Sequence, residues 1–560
     1  MLDLLPSRSQ KRGEHVRRLS VALVVAGALA VVSSASAGSW TSDVPFTNVV
    51  ASSPAPGWGY PAADGKPVPG TCTSGPFNSN RSESWIAVDP GSENAVGVSK
   101  FFFDKYSTFY NFHLGAYTIE NGAVTGNVGI PGYDCVTTGT QDMPPSWTNN
   151  TDPNVDFDTK HRAYQATLPF NAYWTNLHPN GAIGAVYSDD LGKTWKVSKG
   201  ADKYGYLEWL NNQSSFSFGG FEDKQWIAVN HSPVTTYQDH VYAMWAIFNG
   251  QAIKLREAVS RDRGLTYSPA TTITIPQETG PSNFSVYPSV DAAGDLYVAL
   301  AAYRVKTGGF DGTIYVTKST DDGKTFTPWT KVAFAHGYPG DFVNGDFRDG
   351  ILESFAASPT YPGHAYVTFE EYNSATGTMD VKFSYTTDGA LTFSDPVTVN
   401  DPSTVNDATD QFQPSVAAGP NGAVAVAFYD RRSTCPTDAS VVQTGDNACI
   451  DVSVQAYKDD GTTVTPVLSN VRATEFSWDP AQPVQKVDGI GQIACYAHRD
   501  PCTGVFIGDY FGLAISNGNI YTLFVSTHYA STVEADGGGP VYYQQQVLGT
   551  IPRAGFGTGY

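Results

Sequence analysis

The chain is 560 residues long, carries 34 Lys and Arg against 54 Asp and Glu for a formal charge of −20, and is 41% hydrophobic. A chain of this length buries a sizeable core without staples, and its acidity argues against nucleic acid and anionic membrane, which need a basic footprint. Six cysteines without a CxxC motif or a His-x-x-x-His cluster give no zinc signature.

Residues 1–37 read as a signal peptide. Arg8, Lys11, Arg12, Arg17 and Arg18 precede an apolar run from Leu19 to Val32, and Ala35-Ser36-Ala37 fits a small-x-small cleavage pattern. The run is short for a membrane span. Its removal takes away five basic and two acidic residues and moves the charge to −23. The expected location is therefore outside the cell, where an even number of cysteines favours disulfides. Pairing Cys435 with Cys449, Cys495 with Cys502 and Cys72 with Cys135 is one of several connectivities that six cysteines allow. Residues 38–80 read as an N-terminal extension whose segment Val44 to Val50 could close a ring of strands, and residues 81–560 as one domain.

A short phrase then recurs. Ser188 to Trp195, Ser260 to Tyr267 and Ser319 to Phe326 each read Ser-x-Asp-x-Gly-x-Thr-aromatic. Weaker copies run from Thr386 to Phe393, with Ala390 at the Gly position, and from Tyr457 to Val464, which keeps Asp459, Gly461 and Thr463; a remnant begins at Thr118. The first positions are 70, 72, 59, 67 and 71 residues apart, the signature of one supersecondary unit copied several times. Asp and Gly among Ser and Thr make a tight turn, since the carboxylate accepts local N–H bonds and Gly takes positive φ. Each phrase therefore predicts a hairpin turn and not a catalytic sequence.

With these phrases as a ruler, a second pattern emerges at the start of each unit: an acidic residue, a small apolar strand, a turn and a second strand. Examples are Glu83-Ser84-Trp85-Ile86-Ala87-Val88, Asp223-Lys224-Gln225-Trp226-Ile227-Ala228-Val229 and Gly508-Asp509-Tyr510-Phe511-Gly512. Seven units of about four strands, with almost no helical periodicity, predict an all-β fold, a seven-bladed β-propeller of four-stranded antiparallel blades, with six blades as the alternative.

The phrase and its spacing resemble the Asp-box, or BNR repeat, of the sialidase superfamily, and the resemblance spans about residues 83 to 530. It implies a propeller whose Asp-boxes lie away from the active site, so they identify the scaffold and not the chemistry. The Arg-Ile-Pro tripeptide that sialidases carry on the first strand has no counterpart: here that strand reads Glu83-Ser84-Trp85-Ile86, with Arg81 two residues earlier.

Glu83, Asp152, Asp223, Asp349, Asp410 and Asp509 each precede a first strand, so their carboxylates are expected to converge on the axial mouth. Converging carboxylates raise one another's pKa, which suits general-acid work, or they hold a cation such as calcium. The alternative is that each Asp caps a loop through backbone N–H bonds. Arg348 beside Asp349, Tyr510 beside Asp509, and Asp430 with Arg431 complete the candidate catalytic set of Glu83, Asp223, Asp349, Asp509, Tyr510, Arg348, Arg431 and Asp430. Asp430 and Arg431 also fit a structural ion pair. Tyr173, Trp174 and His178 could stack on sugar rings.

The expected activity is glycosidic bond hydrolysis at the mouth, by a Tyr or carboxylate nucleophile and a separate acid. The alternatives are a non-catalytic glycan- or protein-binding propeller and a polysaccharide lyase. No cofactor is required by the leading chemistry, calcium being the ion the carboxylates could take. The expected partner is a glycan or polysaccharide, met by a monomer, with neither nucleic acid nor membrane insertion after signal cleavage.

Overall fold

The computed structural model describes residues 40, 43–52, 79–102, 112–131, 149–171, 180–210, 220–249, 252–306, 309–340, 342–345, 347–350, 353–401, 408–494 and 505–560. Residues 1–37, Cys72, Cys135, Cys495, Cys502, Tyr173, Trp174 and His178 lie outside them.

Seven antiparallel sheets stand in a ring, not six. Blade 1 is Arg81–Val88, Ala95–Phe102, Phe112–Glu120 and Ala123–Gly129, from the axis outward. Blade 2 is irregular: Asn149–Thr151 and Asp156–Phe157 share the inner position on Ala163–Asn171, and Lys196–Val197 and Glu208–Leu210 share the outer edge of Asn180–Ser188. Blade 3 runs from Gly220–Val229 through Val241–Asn249 and Ala252–Ser260 to Thr271–Thr272. Blade 4 runs from Tyr287–Val290 through Leu296–Lys306 and Gly309–Ser319 to Thr330–His336. Blade 5 comprises Ser354–Ala357, Ala365–Asn373, Thr378–Thr386 and Val397–Thr398, and blade 6 comprises Gln411–Ala418, Ala423–Asp430, Asp451–Asp459 and Val464–Arg472. Blade 7 takes Gly512–Ile515, Asn519–Ser526 and Gln545–Pro552 from the C-terminal side and its outermost strand, Thr47–Val50, from the N-terminal side, in register from Thr47 opposite Thr550 to Val50 opposite Val547. Two distant parts of the chain thus share one sheet, and opening the ring requires breaking that ladder.

The sequence forms these strands because both faces of each blade meet a neighbouring blade. Ala423–Asp430 is buried at every position, with Ala and Val filling both faces, and Tyr242 to Ala246 is equally inaccessible. Polar alternation vanishes where both faces are covered. Each large apolar side chain buried here contributes about 1.5–3 kcal/mol.

The recurring phrase folds as its residue types dictate. In the first full copy, Gly192 N donates to Ser188 Oγ at 2.9 Å, Ser188 Oγ donates to Asp190 Oδ1 at 2.8 Å, and Thr194 donates through N and Oγ1 to Asp190 at 2.8 and 2.6 Å. Trp195 Nε1 closes the turn on the Gly192 carbonyl at 3.0 Å. Asp262, Asp321 and Asp388 repeat the arrangement. In the fifth copy Asp460, not Asp459, takes the threonine contacts. Asp459 turns instead toward blade 5, where it accepts from Tyr366 Oη at 2.5 Å and meets His364 Nδ1 at 2.7 Å. Tyr242 and His240 of blade 3 hold Asp322 of blade 4 in the same way, at 3.0 and 2.8 Å. These aspartates bolt blade to blade at the ends of the strands remote from the first-strand starts.

Candidate active site at the axial mouth

The starts of the inner strands are bent toward the axis by irregularities in their ladders. The register breaks between Ser82 and Ser84, between Asp223 and Trp226, and between Phe412 and Ser415. Within those breaks Glu83, Lys224 and Gln413 adopt φ of 40°, 50° and 44°, and Asp152 of blade 2 adopts 58°. A bulge re-aims the side chain it carries, and left-handed backbone at a non-glycine residue costs energy that the surroundings must supply. Four blades thus spend strain to turn a polar side chain into one place.

What gathers there is an ion network. Asp509 receives Arg348 as a fork, Nε to Oδ1 at 3.0 Å and Nη2 to Oδ2 at 2.7 Å, and Lys224 Nζ adds a third bond to Oδ2 at 2.7 Å. Lys100 Nζ lies 2.6 Å from Glu83 Oε2, with both side chains buried. Asp152 Oδ2 accepts the Lys224 backbone N–H at 3.0 Å, and the Asp152 and Asp223 side chains share a hydrogen bond. Across the mouth Asp349 and Glu370 form a second carboxyl pair. Gln413 ties that pair down: its N–H donates to Glu370 at 2.8 Å, and its Nε2 donates to Asp349 at 3.2 Å and to the Gly508 carbonyl at 2.8 Å.

These surroundings drive the carboxyl groups apart. Burial pushes Asp509 up, but Arg348 and Lys224 outweigh it and hold the group far below the usual carboxylate range. Burial dominates elsewhere: Glu83 rises to about 7 despite Lys100, Asp349 to about 7 despite its hydrogen bonds, and Asp223 to about 6 with help from the Asp152 charge. Glu370 is raised well above its ordinary value by burial and by Asp349. Below this layer the axis is filled by rings. Trp226 lies 4.6 Å from Trp85, 4.5 Å from Tyr287 and 5.2 Å from Tyr510, centroid to centroid.

Of the residues singled out from sequence, the structure brings together Glu83, Asp223, Asp349, Asp509 and Arg348. Tyr510 belongs to the aromatic filling; its hydroxyl donates to the Pro153 carbonyl at 3.1 Å, and burial raises its pKa further. Such a phenol is no nucleophile. Asp430 and Arg431 are fully buried in a separate network. Asp430 accepts from Arg432 Nε and Ser453 Oγ, both at 2.7 Å. Arg431 donates to the carbonyls of Val343 at 2.8 Å and Asn344 at 2.7 Å and pairs with Asp410 at 3.3 Å. Arg431 thereby fixes the segment leading to Arg348 and Asp349 against blade 6, while Asp430 holds blade 6 internally. The Cys435–Cys449 disulfide clips the neighbouring loop, with Cα atoms 5.1 Å apart.

Lys100, Lys224 and Gln413 were missed as site residues. A signal existed for one of them: matching Ser84-Trp85-Ile86-Ala87-Val88 to Gln225-Trp226-Ile227-Ala228-Val229 sets Lys224, not Asp223, opposite Glu83. Among the described residues no group of three or more His, Cys, Asp or Glu is arranged to hold a metal ion, and no helix is long and apolar enough to cross a membrane.

No protein-family model matches the chain, and no curated protein matches it in sequence. Solved structures resemble it in fold at low identity. A Dyadobacter fermentans protein of unknown function is 12% identical with a TM-score of 0.43, over 73% of this chain and 97% of that one. A Hadza microbial sialidase is 12% identical with a TM-score of 0.39, over 81% and 75% of the two chains. An α-L-arabinofuranosidase from Fusarium graminearum is 13% identical with a TM-score of 0.31, over 55% and 89%.

Proposed function

We propose that this is an exported propeller that hydrolyses glycosidic bonds at its axial mouth. One observation carries the reading: at the strand starts that converge on the axis, Asp509 is held ionised by Arg348 and Lys224 while Asp223 and Asp349 are pushed up to about 6 and about 7. Carboxyl groups driven apart in this way divide the labour of glycoside cleavage, a protonated one donating to the leaving oxygen and an ionised one facing the positive charge that develops on the sugar. Asp223 and Asp349 are partly exposed, so both can reach a ligand, and each has a carboxyl partner, Asp152 or Glu370, with which to exchange a proton. The recurring turns, read as Asp-boxes, support a sialidase-like scaffold for this chemistry.

Activity on a panel of aryl glycosides and polysaccharides, with Asp223→Asn, Asp349→Asn and Asp509→Asn in parallel, tests the reading. Cleavage by the wild type that drops at least about a hundredfold in one of the first two variants and in Asp509→Asn is the expected result. Glycan binding without cleavage would establish the second reading, a binding propeller, which the lack of a free phenol at Tyr510 favours.

A further inference from the structure

Resting on the glycan reading above, we propose that the mouth accepts uncharged glycans and rejects acidic ones. The cations bonded to its carboxyl groups are already engaged. Arg348 spends its planar fork on Asp509, the geometry that would otherwise receive a substrate carboxylate. Lys224 Nζ is bound to the same Asp509, and Lys100 Nζ to Glu83. These ion pairs lie largely out of water, so releasing a cation for a ligand would leave a buried carboxylate unpaired, a costly exchange.

Among the described residues, the mouth sets six carboxyl groups, Glu83, Asp152, Asp223, Asp349, Glu370 and Asp509, against three bonded cations, Lys100, Lys224 and Arg348. With Asp152, Asp223 and Asp509 ionised, the cluster is neutral while Glu83, Asp349 and Glu370 carry protons and negative once they release them. Above about pH 6, where Asp223 is ionised, it presents no net positive charge to a uronate or a sialyl group. Asp223 and Asp349 are partly exposed and have no cation bonded to their side chains, whereas Asp509, also partly exposed, is covered by Arg348 and Lys224. An incoming anion would therefore meet two acceptors without a bonded cation beside an Arg348 already engaged by Asp509. Sugar hydroxyls, which donate as well as accept, match such a rim, and the rings of Trp85, Trp226 and Tyr510 lie beneath it.

The test is binding and cleavage of neutral polymers (galactan, arabinan, β-glucan) against acidic ones (polygalacturonate, sialyllactose) at low and high salt, with wild type and Asp509→Asn. The expected result is a preference of at least about tenfold for a neutral glycan at low salt, narrowing as salt screens the mouth. Asp509→Asn, which frees Arg348 and Lys224, is expected to gain about tenfold in affinity for an acidic glycan. An acidic glycan preferred by the wild type would overturn this inference and leave the glycan reading intact. No gain in Asp509→Asn would overturn the claim that Asp509 is what sequesters the cations. If no glycan of either kind binds or is cleaved, the glycan reading itself falls, and this inference with it. Should Asp509→Asn fail to fold, Asp349→Asn, which removes a rim carboxylate, carries the same expectation of improved binding to an acidic glycan, and its failure to improve counts against the inference.

Discussion

Arg348 and Asp509 join positions 161 residues apart, the segment before blade 5 and the start of blade 7, through two parallel bonds at 3.0 and 2.7 Å. Blades 5 and 6 lie between them in sequence, so the pair ties the mouth across the ring.

Removing one member of a largely buried ion pair leaves the other uncompensated. Arg348→Met is expected to cost about 3 kcal/mol at pH 7. The sign with pH follows from Asp509, whose folded pKa is depressed: its contribution is fully present above the ordinary Asp value near 3.8 and is lost as pH falls below it. Urea denaturation of wild type and variant should therefore differ most at neutral pH and converge in acid. Equal differences at pH 7 and pH 3 would contradict the ion-pair account.

Glu83 and Asp349 have the opposite sign. Each rises to about 7 in the fold from ordinary values of 4.5 and 3.8, so between those limits the folded chain holds a proton that the unfolded chain has released. Stability from these two groups is fully present below about pH 4 and declines as pH rises to about 7. Asp349→Asn removes one of the two titrations. Its unfolding free energy, followed from pH 4 to pH 8 by urea midpoints, is expected to fall less steeply than that of the wild type.

Gly264 sits in the second copy of the turn at φ +74°, and a Cβ there would lie 2.4 Å from Tyr164 Cε1. Gly205 has φ +89° with nothing within 4 Å. Gly205→Ala therefore bears only the left-handed penalty of about 1–2 kcal/mol, while Gly264→Ala adds a collision with a buried ring and is expected to cost more. Thermal unfolding of the two variants measures the difference; equal shifts would show that the turn and its neighbouring blade yield together.

Tyr366 Oη donates to Asp459 at 2.5 Å, out of water, with His364 on the same carboxylate oxygen. Tyr366→Phe keeps the ring and deletes one charge-assisted bond, with an expected loss of about 1.5–3 kcal/mol. Because the bond joins blade 5 to blade 6 far from the mouth, glycan binding should be unchanged in the variant. A change in binding would show that the blade contacts and the mouth are linked.

The repeat carries the fold, and so the fold was legible. Ser, Asp, Gly and Thr at fixed offsets make a turn through local bonds alone, and a near-constant spacing of such turns admits few architectures other than a ring of blades. Glu83, Asp223, Asp349 and Asp509 were legible for the same reason, since strand starts can be counted from the turns. The misreadings share a different cause. Asp459 and Asp460 are neighbours that both enter the turn, and the approach of Tyr366 from another blade to Asp459 leaves the threonine contacts to Asp460. Tyr510 and Asp509 are also neighbours, and the bend ahead of the strand Gly512–Ile515 sends one side chain into the filled axis and the other into the mouth.

By itself the sequence determined what local chemistry determines: the turns, the short strands, the repeat spacing and the acidity of the strand starts; the choice of seven blades over six came from the fold. Tertiary structure decided which carboxyl groups are paired with cations and which with each other. That depends on strand-start bulges that swing Lys224 and Gln413 inward and on a contact between Arg348 and Asp509 that no sequence spacing encodes. A carboxylate's pKa follows its neighbours in space, and in a closed ring those neighbours come from other blades.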